Sequence, residues 1–503
     1  MFPRRPPSDG LRIAPFAGKR SLVHPRPESQ LRCNLAKPTD IRIVEAVSHR
    51  EKFAYRTPMK FGGRTVSDAT VQRVVVTVEN REGKKPTVGI GEMTMGTAWA
   101  WPSKKLSPEQ VSRIVLALVD RIVKKSTELD LIGHPIDLGL RIIEEAKILA
   151  QQLAEQMNLT EPIPELAILL ACSPIDAAIH DAFGRQNNLS SFETLTSEFL
   201  DGDLSQWLGE EFAGVPLSAQ VLPKPKTTLS LYHLVGALDP LSAGELSNKV
   251  GDGLPETLED WIKSEGLTHL KVKLSGTDLD WDVGRMVEID RIATATGLAR
   301  EWHFSLDFNE CCPDEDYVID FLERVERLSK SILQRLQYIE QPTGRDLKAR
   351  RDITMHRVGR LKPVVIDESL IDMDSLRTAR QLGYSGIALK ACKGQTESLL
   401  MAAAAKHYGM FIGVQDLTCV GASFLHSASL AAHLPTVTFV EGNGRQYCPA
   451  GNAAWEPIYR PMFRIRGGVV PTELLGGPGL GFRWPAEILP KELAKFAKSM
   501  GAS

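Results

Sequence analysis

Three acidic residues, Asp307, Glu340 and Asp367, each close a short apolar run, HFSLD, LQYIE and PVVID, and stand 33 and 27 residues apart. Lys271 and Lys273 close another run, HLKVK, and Lys390 closes IALK. Taken singly, each has a plain reading. Alternate residues of a strand share a face, so two lysines flanking a valine read as a solvated edge. A lone acid after a strand reads as a helix cap or a surface charge. Three acids in succession, each about one strand-plus-helix unit apart, call for another account. Carboxylates gathered at adjacent strand ends repel one another, and a hard divalent cation relieves that repulsion. An all-oxygen donor set selects Mg2+, with Mn2+ as the other admissible ion. Neighbouring positive charge and partial burial both lower a lysine's pKa, which would let a lysine among Lys271, Lys273 and Lys390 act as a base near neutrality. A lysine base beside Mg2+ is an arrangement that stabilises an ene-diolate.

The elements that would position these groups can be read from the texture of the chain. From about residue 227, eight apolar runs alternate with helical stretches: LSLYHLVG, HLKVKLSG, HFSLDFNE, LQYIEQP, PVVIDESL, GIALKACKG, MFIGVQD and VTFVEG. Strands alternating with helices imply parallel βαβ units, and eight of them without a Gly-rich phosphate fingerprint imply a closed (β/α)8 barrel, residues 223–455. Barrel enzymes place their chemistry at the carboxy-terminal strand ends, where all six residues fall. Upstream, residues 39–222 read as an α+β capping domain. IRIVEAV, VQRVVVTVEN and VGIGEMTMGTAWAWP give an antiparallel sheet, with EKFAYRTPMKFGGRT as a Gly/Pro-punctuated loop. Ser107, Pro108 and Gln110 form a capping-box start to a helix whose apolar face is Val111, Ile114, Val115, Leu118 and Ile122. Loops 53–63 and 92–102 are expected to cover the barrel mouth, with Phe53, Tyr55, Trp99 and Trp101 as an apolar lid.

Composition narrows the class. A chain of 503 residues exceeds one ordinary core, and 43% hydrophobic with 24% charged residues is globular composition. A net charge of −2 gives no reason to expect nucleic acid or an anionic membrane as partner. Seven thinly spread cysteines suit a reducing, cytoplasmic compartment. Residues 1–38, rich in Pro and Arg and without an apolar stretch, read as a disordered tail.

In this order the motifs K-V-K at 271–273, D-F-N at 307–309, I-E-Q-P at 339–342, D-E-S at 367–369 and Lys390 resemble the enolase superfamily, and within it the muconate-lactonising-enzyme-like (mandelate racemase/muconate lactonizing enzyme) group. SPIDAAIHDAFGRQ at 173–186 is similar to the helix closing that family's capping domain, and GGVVPTELLGGPGLGF at 467–482 to its terminal segment. Residues 456–503 are accordingly expected to return to the cap. The resemblance implies metal ligation by Asp307, Glu340 and Asp367, acid/base work by Lys273 and Lys390, and electrostatic help from Lys271 at the substrate carboxylate. It also implies a homo-oligomer acting on a small carboxylate through a metal-stabilised enolate.

Some positions depart from the family. The seventh strand, GVQDLTCVG, has no His, and the eighth gives VEGNGRQY in place of the D-x-D of dipeptide epimerases. Gln415, Asp416, Glu441, Asn443 and Arg445, with Tyr55 and Trp99 of the cap, are read as substrate contacts; for Glu441 the alternative is a buried structural partner of a lysine. The leading expectation is a Mg2+-dependent isomerase, a racemase or epimerase or else a cycloisomerase. An acid-sugar dehydratase or other lyase, and a non-catalytic barrel with a binding role, are the alternatives.

Overall fold

The computed structural model describes residues 37–61, 64–298, 301–485 and 488. The expected tail, residues 1–38, lies almost wholly outside the described residues, as does the end of the chain. The cap is an antiparallel sheet in the order β3-β2-β1-β4, from β1 (Ile41–Phe61), β2 (Arg64–Asn80), β3 (Thr87–Thr94) and the two-residue β4 (Ile132–Gly133). Four helices follow: α1 (Thr97–Ala100), α2 (Pro108–Glu128), α3 (Pro135–Gln156) and α4 (Glu165–Asn187). The start of α2 is as its sequence dictates. Gln110 N donates to Ser107 Oγ at 3.2 Å, Ser107 N donates to Gln110 Oε1 at 2.8 Å, and the five expected apolar residues are buried. The long helical region after 103 therefore builds the cap's own core, with α2 packed on β1, α3 and α4.

Residues 51–61 are strand, not loop: β1 runs through them paired with β2, and Pro58 is accommodated in the register break between Ala54 and Met59, where no ladder bond needs its missing N–H. The hairpin's outer part, not a flexible loop, reaches over the barrel. α4 lies directly on β3 because β3 offers glycine there: a Cβ on Gly91 would stand 2.0 Å from the Pro174 carbonyl oxygen. That helix is apolar and long enough to cross a membrane, but its apolar window is entirely buried inside the protein.

The eight expected runs form eight parallel strands: β5 (Leu229–Val235), β6 (His269–Lys273), β7 (His303–Asp307), β8 (Leu336–Glu340), β9 (Val364–Ile366), β10 (Gly386–Leu389), β11 (Phe411–Val414) and β12 (Phe439–Glu441). They pair in chain order, and β12 pairs with β5 to close the barrel. Tyr232, Tyr338, Val365, Ala388 and Phe439 fill its interior, so the barrel is a packed core below the strand ends. β13 (Val469–Val470) adds antiparallel to β5. Within the described residues, the segment after β13 contacts the cap. Leu480 N donates to Asp181 Oδ1 of α4 at 3.0 Å, and Arg185 donates to the Phe482 carbonyl. Gly479 has φ +72°, and a Cβ there would stand 2.1 Å from Asp181 Oδ1, so this turn admits glycine alone.

Candidate active site

Register brings the charged strand ends together. In β6 and β7 the Cα partners are Lys271 with Ser305 and Lys273 with Asp307; in β7 and β8, Asp307 pairs with Glu340. Lys271, Lys273, Asp307, Glu340, Asp367 and Lys390 are all buried at the mouth. Lys271 Nζ lies 2.7 Å from Glu340, 3.1 Å from Glu441 and 3.2 Å from Asp307. Lys273 Nζ donates to Asp307 Oδ2, while Asn309 N donates to Asp307 Oδ1 at 2.8 Å. On the far side Lys390 Nζ lies 2.6 Å from Asp367. Strands β6 and β10 are four apart in an eight-strand ring, so Lys273 and Lys390 face each other across the mouth.

The electrostatics differ from the sequence expectation of depressed lysines. Burial pushes the Lys271 ammonium down, but Glu340, Glu441 and Asp307 together hold it well above the ordinary lysine value. Lys390 is likewise pushed down by burial and carried above its ordinary value by Asp367. The carboxylates around Lys271 and Lys390 outweigh their burial. The acids respond in kind. Burial works against Asp307 and Asp367, yet their lysines hold both carboxyls below the usual range. Burial and the neighbouring Asp307 push Glu340 up to about 8, with Lys271 opposing them.

Two features of the site have weak signals in the sequence. Lys393, one turn past Lys390, is buried; its Nζ donates to the Asp367 carbonyl oxygen at 2.6 Å and stands 3.2 Å from Asp367 Oδ1. Burial, offset in part by Asp367, leaves its pKa below the ordinary value. The only hint is a second lysine in KACKG. The other is backbone conformation: Asn309, Glu310, Gln341 and Thr418, all in loops at the mouth, have positive φ, where side chains rarely sit. Gln341 braces this rim, its Oε1 accepting from Asp367 N at 2.9 Å and Ser369 N at 3.2 Å.

The expected substrate contacts divide. Gln415 Nε2 donates to Glu340 Oε2 and reaches the Tyr338 hydroxyl at 3.3 Å. Glu441 sits against Lys271, the structural alternative noted above, and accepts from Asn443 Nδ2 at 2.6 Å. Trp99 is at the mouth too: its Nε1 donates to Asp367 Oδ2 at 3.1 Å, and its ring centroid is 4.8 Å from Lys390 Nζ. Asp416 turns to the loop backbone, accepting from Cys419 N and Asn443 N, and burial pushes it up to about 6. Tyr55, with Phe53, packs at the seam between hairpin and barrel against Val420 and Cys448. Arg445 does not join the site. It lies 2.9 Å from His233 Nδ1 and 2.9 Å from Glu265, and over Trp261, on the helix side of β5. Trp101 turns to the cap, donating to Glu161 at 2.9 Å.

Among the described residues no group of three His, Cys, Asp or Glu side chains is arranged to hold a metal ion. Lys271 stands between Asp307 and Glu340, and Lys390 stands against Asp367, so ammonium groups neutralise the three acids. In donor chemistry the set nonetheless fits a hard divalent cation: three buried carboxyls on consecutive strand ends, one of them raised by the charge of another. Asp367 Oδ1 is buried without a hydrogen bond, the Lys393 ammonium being its near neighbour.

Residues 253–488 match the family model for the enolase C-terminal domain-like fold. Similar solved structures span nearly the whole chain. A muconate lactonizing enzyme from Pseudomonas fluorescens, complexed with muconolactone, is 18% identical, with TM-score 0.53, covering 90% of this chain and 98% of its own. An enolase from Bradyrhizobium complexed with magnesium and mandelic acid is 16% identical, with TM-score 0.55, covering 90% and 97%. A dipeptide epimerase from Enterococcus faecalis V583, complexed with Mg and the dipeptide L-Leu-L-Tyr, is 16% identical, with TM-score 0.54, covering 88% and 99%. At these identities the likeness is one of fold. No curated protein matches the chain in sequence.

Proposed function

From the match of residues 253–488 to the enolase C-terminal domain-like model, we propose a Mg2+-dependent isomerase, a racemase or epimerase or else a cycloisomerase, that removes the proton α to a substrate carboxylate. The observation that carries this reading is the placing of Lys273 and Lys390 on opposite sides of a buried acidic rim. One solved structure of this fold holds magnesium with mandelic acid and another Mg with the dipeptide L-Leu-L-Tyr, and an acid ligand beside a divalent cation fits this rim.

Asp307, Glu340 and Asp367 would hold the cation, which when bound polarises the substrate carboxylate and offsets the charge that grows as the proton leaves. Lys271, held between Glu340 and Glu441, supplies fixed positive charge beside that carboxylate. Lys273 and Lys390 address the two faces of the α-carbon. Each is paired with an acid in this structure, so each must be released from its carboxylate and lose a proton before it can take one. Neutralisation of Asp307 and Asp367 by a cation would favour that release. Gln415 and Asn443 orient Glu340 and Glu441, and the buried mouth keeps water from the carbanionic centre.

The test is proton NMR in D2O over a panel of α-chiral carboxylates, with Mg2+ added and with chelator. Metal-dependent loss of an α-proton signal is expected for at least one substrate. Glu340→Gln is expected to abolish it and to weaken Mg2+ binding by calorimetry while preserving the circular dichroism spectrum. Full exchange in the Glu340→Gln variant contradicts the assignment.

A further inference from the structure

The groups at the mouth are too deeply buried to meet a substrate as they stand: Lys390 and Lys393 side chains are each 4% exposed, and Trp99 is 2% exposed. Trp99 roofs them, its ring centroid 4.8 Å from Lys390 Nζ and 5.6 Å from Lys393 Nζ, and its indole N–H is spent on Asp367. The segment carrying Trp99 has little structure of its own, since α1 is a single four-residue turn with no side-chain cap. Something outside it must fix its position.

Arg345, in the loop after β8, does so. Its Nη1 donates to the Trp99 carbonyl at 3.0 Å and approaches that of Ala100 at 3.5 Å. Its Nε and Nη2 donate to the two oxygens of Glu310 at 2.8 and 2.5 Å. One planar guanidinium thus spans a barrel carboxylate and the cap backbone, a geometry lysine cannot reproduce. Both ends are tied to the acidic rim. Glu310 N donates to the Gln341 carbonyl at 2.9 Å, and Ser369 Oγ donates to the Arg345 carbonyl at 2.9 Å while accepting from Gln341 Nε2. Glu310 holds φ +68° to reach its place, a conformation that side chains seldom adopt.

We infer that Arg345 is a positioning residue whose ion pair with Glu310 seats the Trp99 segment as a closing roof over Lys390, Lys393 and Asp367. The inference rests on the reading of this rim as the reacting centre. The roof must lift to admit substrate, and breaking the strut shifts it towards open.

Hydroxyl-radical footprinting of the full chain, read by mass spectrometry, tests this without needing activity. Trp99 is the reporter. Trp455, equally buried against Phe482 and Trp484, reports unfolding. In Arg345→Ala, Trp99 oxidation is expected to rise roughly tenfold or more, as befits loss of several charge-assisted hydrogen bonds from a closing segment, with Trp455 unchanged. Arg345→Lys and Glu310→Gln should give a smaller rise of the same kind. If Arg345→Ala raises both tryptophans, the two milder variants decide. Unchanged Trp99 oxidation in a folded Arg345→Ala chain, or in both milder variants, overturns the strut. The outcomes separate cleanly: a flat footprint with intact α-proton exchange removes the strut alone. A responsive footprint with no exchange on any substrate removes the catalytic reading alone.

Discussion

Lys271 is the residue on which the rim's charge balance turns. It neutralises parts of three buried acids at once. Removing one partner of a buried ion network leaves uncompensated charge, so Lys271→Met is expected to cost ~3–5 kcal/mol of stability. Urea unfolding at pH 7 measures this; a loss below 1 kcal/mol would mean that the surrounding acids take up protons at little cost. The identities of Lys271, Lys273, Asp307, Glu340, Asp367 and Lys390 were legible because each ends an apolar run, and side-chain alternation then fixes which face it shares. The titration of the lysines was not legible, since it depends on how many carboxylates surround each ammonium in space. Arg445 was misplaced for a related reason. Alternation from Glu441 would aim residues 443 and 445 inward, but the strand ends at Glu441 and a helical turn begins at Gly444.

At the scale of elements, His134 shows how a buried side chain sets a helix start. It caps α3, its Nδ1 accepting from Ile136 N at 3.2 Å, with Nε2 near the Thr194 carbonyl at 3.2 Å. Nδ1 must stay unprotonated to do so, and burial pushes its pKa down to about 3. A histidine depressed when folded binds its proton first in the unfolded chain, so its contribution is present above pH 6.5 and is lost as pH falls below that value. Asn keeps the cap without the proton. Between pH 7 and pH 5 the native chain should therefore lose ~2 kcal/mol more than His134→Asn, read from urea midpoints and slopes. Equal losses would show that His134 titrates alike in both states. The capping box of α2 lies within four consecutive residues, 107–110, and was readable. The strand through 51–61 was hidden because Pro signals a turn, and only the register break at Pro58 reveals how a long strand tolerates it.

For the molecule as a whole, eight strand-like runs foretold the barrel because each barrel unit repeats one pattern. How the cap closes on it depends on contacts between residues far apart in sequence, and these left no local trace. Asp176 of α4 accepts from Thr396 N at 2.8 Å and Thr396 Oγ1 at 2.7 Å. Arg73 of β2 meets Glu92, whose Oε1 accepts from Ala422 N at 3.1 Å. These ties join cap to barrel above the mouth, where on the proposed reading Lys273 and Lys390 would address one α-carbon from opposite sides. The most direct test of that arrangement takes a substrate found to exchange its α-proton and follows each enantiomer separately in D2O. Lys273→Met should lower exchange of one enantiomer ~10²–10⁴-fold and Lys390→Met that of the other, the range for loss of a general acid or base. Wild-type exchange of both enantiomers in both variants would contradict the account.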